Sequence, residues 1–168
     1  QTQGIEQKVF FEPFVGHELG VTYVKDTPHS IATLQESDLV EANVSETELS
    51  KVALANFHDY WQGKVQLHQI QEFNIYHVEL DNNYESSLML DDSFWQSDLM
   101  PFQPPFLAFI PSRSTLLISA IDAQDASTAK FLAERVFEDN GYKLSPAPFM
   151  RVDNQWTAVQ MQLTDAKK

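Results

Sequence analysis

Residues able to do chemistry are unevenly supplied in this chain of 168 residues, which carries five histidines, 24 acids and 11 bases and has no cysteine. Without cysteine there are no disulfides, thiolate zinc sites, iron–sulfur clusters or cysteine nucleophiles. The histidines are His17, His29, His58, His68 and His77. None forms His-x-x-x-His, and no acidic loop has the calcium-loop spacing with its glycine. His68 and His77 can face each other across a hairpin, with Glu79 on the face of His77, and half-buried hairpin histidines without a metal are expected there. A hydrolase elbow, Gly-x-Ser-x-Gly, is missing, although a triad is defined by geometry and Asp26, His29, Ser86 and Ser87 supply the residue types. Asp91 and Asp92 point about 100° apart on a helix, which suits a solvated face better than paired acid–base work. Five scattered glycines make no phosphate cradle, so no nucleotide cofactor is expected. "PSRS" reads as a tight turn with an exposed Arg113.

What remains is acidic. The net charge is −13, and from Val65 to Ser112 there is no Lys or Arg but seven acids: Glu72, Glu79, Asp81, Glu85, Asp91, Asp92 and Asp98. Nucleic acids and anionic membranes both demand basic surfaces, so neither is an expected partner. The densest part is "DNNYESSLMLDDSFW", Asp81 to Trp95. Asn82 and Glu85 stand at capping-box spacing, which predicts a helix start with Asn82 as N-cap and Tyr84, Leu88, Trp95 and Leu99 along one stripe. As a surface, Asp81, Glu85, Asp91, Asp92 and Asp98 would steer a basic protein while Tyr84, Phe94 and Trp95 anchor it. That points to a non-catalytic acidic binding domain, of the inhibitor or immunity type. The competing expectation is a small-ligand site or hydrolase built from Asp26, His29, Asn82, Tyr84 and Arg113, positions at turns and helix starts.

Positioning these residues requires a fold. The length suits one domain, spanning 1–168, with residues 1–19 as an N-terminal arm or edge strand and 162–168 as a tail. A domain of this size buries roughly 70 % of its unfolded surface. No apolar run reaches the roughly 18 residues that span a bilayer. The start, "QTQGIEQ", is compatible with a removed leader, which favours an exported over a cytoplasmic location.

"KVFFEPFV" reads as an edge strand, and Val21–Lys25 and Ser30–Gln35 as a hairpin around "DTPH". Ser45 and Glu48 form a capping box ahead of Leu49, Val52, Ala53, Phe57, Tyr60 and Trp61 at helical spacing, with Gly63 as terminator. Residues 65–71 and 73–80 alternate as strands, Leu107–Pro111 and Thr115–Ile121 form another pair, and Asp125–Asn140 is a helix. A last hairpin turns at Asp153–Asn154. Such short connections exclude parallel crossovers. The expected class is α+β, a mainly antiparallel sheet of hairpins with about three helices on one face.

Several phrases resemble the YtpQ-like family of uncharacterised bacterial proteins. "GVTYVKDTPHSIATLQESDLVEANVSETELSKVALANF" is similar to its strand–hairpin–helix block and "DNNYESSLML" to its helix start. "LAFIPSRSTLLISAID" and "LSPAPFMRVDNQWTAV" resemble its later strands and closing hairpin, so the likeness runs over Gly20–Val159. Asn83 stands where that pattern has Gly, and most of the family's N-terminal region has no counterpart. The resemblance implies a fold and no activity.

Overall fold

A computed structural model describes residues 10–15, 19–27 and 29–161. Length pointed to one domain; the packing divides between Tyr60 and Trp61 into two compact units.

In the first unit, β1 (Phe11–Pro13) pairs antiparallel with β2 (Gly20–Thr22). Gly20 has a steric reason, since a Cβ there would lie 1.7 Å from Cε2 of Phe11. The expected hairpin follows as β3 (Val24–Thr27) and β4 (Ser30–Thr33). Thr27 Oγ1 takes the Ser30 N–H at 3.1 Å; Pro28 lies outside the described residues. A helix not foreseen, α1 (Glu36–Ala42), begins where Asp38 Oδ2 accepts the Gln35 N–H at 2.9 Å and ends at Asn43, whose φ of 53° is left-handed. α2 (Glu46–Trp61) starts as expected, with Glu48 Oε2 accepting the Ser45 N–H at 3.2 Å. Hydrogen bonds from the Ser45 hydroxyl and then the Ser45 backbone N–H hold the Glu48 carboxyl below its ordinary range. Gly63, at φ 71°, follows the helix as its terminator. Leu39 and Leu49 meet Phe10 in a small core with Tyr23, Leu34 and Val44. The arm expected at 1–19 is described here only from Phe10 to Val15 and at Leu19, and the tail 162–168 lies outside the described residues.

The second unit is a six-stranded antiparallel sheet. Its strands are β5 (Gln66–Gln69), β6 (Ile75–Glu79), β7 (Phe106–Ser112), β8 (Thr115–Ser119), β9 (Lys143–Val152) and β10 (Gln155–Ala158), in the order β10-β9-β7-β8-β6-β5. The architecture is α+β with antiparallel pairing throughout, as the hairpin spacing requires. β9 and β10 join through Asp153 (φ 48°) and Asn154 (φ 61°), the two left-handed residues that a type I′ turn needs.

One sheet face carries α4 (Ala123–Asp139), capped where Asp122 Oδ1 accepts the Asp125 N–H at 3.0 Å. Ala126, Ala129 and Ala133 are small enough to bring this helix onto Ile75, Leu107, Phe109 and Leu117. The opposite face is not bare, as a one-faced helix layer would leave it. There Phe94, Trp95, Leu88 and Met89 are buried, and Trp95 stacks on Phe106 of β7 at 5.6 Å. With both faces covered, all seven residues of β7 are buried, which explains why its sequence is apolar rather than alternating. Each fully buried Phe or Ile of this core contributes about 1.5–3 kcal/mol.

Candidate functional site

The segment from Asp81 to Trp95 was the leading site, and its geometry corrects the reading in three respects. It is not one long helix. A 3-10 turn (Glu85–Leu90) is followed by the short α3 (Asp92–Trp95), and Asp91 between them is extended at φ −106°, ψ 102°. Asp91 Oδ1 accepts the Ser93 N–H at 2.9 Å, so its side chain starts a new turn in place of continuing the old one. Leu99 is therefore not on a common stripe with Leu88, and is exposed.

Nor is Asn82 an N-cap. Its φ is 62°, and the capping group is Glu85, reaching back. Glu85 Oε1 accepts backbone N–H bonds from Leu80 (3.1 Å), Asp81 (2.9 Å) and Asn82 (2.6 Å). Asp81 Oδ1 does the same for Asn83 (2.9 Å) and Tyr84 (3.1 Å). The loop at the end of β6 is thus wound around two carboxylates. These carboxylates satisfy backbone donors that no strand or helix supplies with acceptors.

The third correction concerns the surface. Phe94 is 0 % exposed and Trp95 is 5 % exposed. They are core side chains and cannot meet a partner. Phe94 packs edge-on to Trp61 (5.7 Å) and to Trp95 (4.8 Å), and Trp95 Nε1 donates to Leu88 O at 2.7 Å. Glu85 and Asp91 are buried as well, so neither can steer. Asp91 Oδ2 takes the indole N–H of Trp61 at 2.7 Å. Asp81 and Tyr84 are half-buried, and Asp92 and Asp98 are exposed. Of the base-free stretch, Glu72, Glu79, Asp92 and Asp98 therefore present acid to solvent.

Asp92 has a partner that the sequence did not reveal. Arg151 on β9 is fully buried, and its Nη2 donates to Asp92 Oδ1 at 2.7 Å. Register brings Phe106 and Trp156 beside Arg151 on one face, and the guanidinium lies 5.1 Å from the Trp156 ring and 6.0 Å from Trp95. Trp156 Nε1 in turn reaches Met89 O at 3.2 Å. The cation thereby fastens α3 to the sheet. The available signal was one arginine among apolar residues in "PFMRV", at an inward strand position.

The residues of the competing site are split between the units. Asp26 and His29 are exposed on the β3–β4 hairpin of the first unit, whereas Asn82, Tyr84 and Arg113 belong to the second. Arg113 sits in the β7–β8 turn, its guanidinium 4.4 Å from the Tyr142 ring and its Nη2 3.4 Å from Asn83 Oδ1. Its backbone carbonyl accepts the Ser86 N–H at 3.2 Å, which ties the acidic loop to this turn.

His68 and His77 are cross-strand partners, as expected. His68 Nε2 lies 2.8 Å from Glu79 Oε2. Burial holds the His77 imidazole below its ordinary pKa, against the pull of the Glu85 carboxylate. Among the described residues no group of three or more His, Asp or Glu is placed to hold a metal ion. No helix among them is long and apolar enough to cross a membrane. Comparison with known proteins finds no matching family model, curated protein or solved structure.

Proposed function

We propose that this protein is a non-catalytic, acidic binding domain that engages a basic surface of a protein partner, in the manner of an inhibitor or immunity protein. The observation that carries the reading is the division of labour among the acids of the base-free stretch. Glu85 and Asp91 are buried in structural roles and Asp92 is paired with Arg151 of β9, while Glu72, Glu79 and Asp98 remain exposed in a stretch of sequence, Val65 to Ser112, that holds no Lys or Arg. Together with the net charge of −13, this favours long-range attraction of a basic protein. A basic nuclease suits that chemistry, because it must itself grip phosphate. Kinship with the YtpQ-like proteins belongs to the same proposal and adds no activity.

The test is association kinetics with a panel of basic nucleases. The association rate falls steeply as salt rises from about 0.01 M to about 1 M, where the Debye length shrinks from roughly 30 Å to roughly 3 Å. Glu72→Lys combined with Asp98→Lys slows it about tenfold or more at low salt. An association indifferent to both changes refutes the reading.

A further inference from the structure

Among the described residues the sheet ends on β5, which is hydrogen-bonded there to one strand neighbour, β6. The register Gln66↔Glu79 and His68↔His77, continued by the Ile70 N–H to Ile75 O bond of 2.8 Å, fixes which backbone groups are committed. In an antiparallel ladder alternate residues exchange both bonds with the partner strand, and the residues between them point outward. Gln66, His68 and Ile70 face β6, so the N–H and C=O groups of Leu67 and Gln69 face away from the sheet.

Natural edges are usually blunted by lysine, proline or a bulge. Gln66-Leu67-His68-Gln69 contains none of these, and Gln66, His68 and Gln69 are exposed. The surroundings of the strand have a definite charge. Glu79, with its side chain 54 % exposed, lies across from Gln66, and Glu72 is exposed in the turn after the strand. Lys64, just before β5, is the one flanking base.

We propose that the β5 edge is the docking site for an extended basic segment of the partner, added as a seventh strand. This rests on the acidic-surface reading above and names where and how the partner binds. Outward groups of Leu67 and Gln69 supply the main-chain bonds. Specificity comes from the two-residue period of the strand. On one side the incoming residues lie beside His68, which holds Glu79, and take a basic side chain. On the other they lie beside Leu67, which is half-buried, and take an apolar one. The recognised segment therefore alternates basic and apolar residues over the length of β5.

A peptide of alternating Lys and Val, KVKVKVK, is a direct probe, followed by amide NMR and titration at low salt. The expected result is binding with protection of the Leu67 and Gln69 amides from exchange. A fully N-methylated peptide of the same charge, lacking N–H donors, binds at least tenfold more weakly. Gln69→Pro, which removes an outward donor without removing a bond to β6, and Glu72→Lys each weaken the unmodified peptide. Equal binding of the N-methylated peptide, or amide changes centred away from β5, overturns the edge site while leaving the acidic-surface reading standing. A basic nuclease that binds with the salt dependence described above while the peptide does not bind does the same. If neither peptide nor nuclease binds at low salt, the parent reading fails and takes this one with it.

Discussion

Replacing Glu85 tests whether a carboxylate organises the loop after β6. Its Oε1 accepts three backbone N–H bonds, between 2.6 and 3.1 Å, and the side chain is 1 % exposed. Hydrogen bonds to a charged acceptor contribute about 1.5–3 kcal/mol each, and a buried donor left without an acceptor costs about 1–3 kcal/mol. The three donors are only partly buried, and water reaches some of them once the carboxylate is gone. Glu85→Ala therefore costs about 3–5 kcal/mol, well under the sum of three full penalties. Glu85→Gln keeps a neutral carbonyl in place and costs about 1–2 kcal/mol. The assay is urea unfolding followed by tryptophan fluorescence. Trp61, Trp95 and Trp156 all lie in the second unit, so the signal reports the unit that carries Glu85. With an m-value of about 2 kcal/mol/M, Glu85→Ala lowers the midpoint by roughly 2 M and Glu85→Gln by less than about 1 M. A Glu85→Ala loss below about 1 kcal/mol, or equal losses for the two variants, refutes the reasoning.

Three further outcomes follow from the same contacts. Asp92→Ala leaves the Arg151 guanidinium buried without its carboxylate and destabilises by about 2 kcal/mol, whereas Arg151→Met with Asp92→Ala recovers much of the loss; urea midpoints of the single and double variants decide it. Asp122→Ala removes the N-cap of α4 and costs about 1 kcal/mol, read as a lower thermal midpoint. Bonds to the backbone N–H of Asp125 hold the Asp122 carboxyl below its usual range, so its stabilisation is present above the unfolded-state value near 3.8 and is lost as pH falls through the lower folded-state value. For His77 the sign runs from the other side: burial lowers the folded-state pKa below 6.5, so the unfolded chain binds more protons as pH drops below 6.5 and stability declines there. His77→Gln flattens the difference between urea midpoints at about pH 7.5 and about pH 5.5, and an unchanged difference counts against the assignment.

Where period decided the matter, the sequence was legible. Alternation in 65–80 and the paired apolar runs after Phe106 marked the antiparallel strands from the β5 edge inward to β7, and Asp153–Asn154 marked the last turn. Ser45 with Glu48 gave the start of α2. Local spacing failed at Asn82 and Glu85, which share that separation. Behind Glu48 runs a long stretch free of backbone-competing acids on the helix's inner face, so the reach of Glu48 back to Ser45 opens a helix. Behind Glu85 stand Asp91 and Asp92, and Asp91 accepts the downstream Ser93 N–H and hydroxyl, which makes a second short turn cheaper than continuation. The division at Tyr60 was not legible either, because it falls inside the periodic pattern of α2.

The same failure explains the misplaced surface. Acids and aromatics interleaved in sequence read as an acidic rim around aromatic anchors only if the segment is a helix lying on the surface. Two tight turns instead roll Phe94 inward against Trp61 and Trp95 inward against Phe106, and the buried acids become the acceptors that such turns need. Arg151 completes this inversion: it neutralises Asp92 from inside, so the acid nearest the aromatics offers less field than its exposure implies. On the proposed acidic-surface reading, steering therefore falls more on Glu72 and Asp98 than on Asp92, with Glu79 held by His68. Charge reversal at Glu72 slows association with a basic partner more than reversal at Asp92 does, once the stability lost with Asp92 is accounted for. Association rates of the two single variants, measured on samples shown to be folded, distinguish this ordering from one in which all exposed acids count alike.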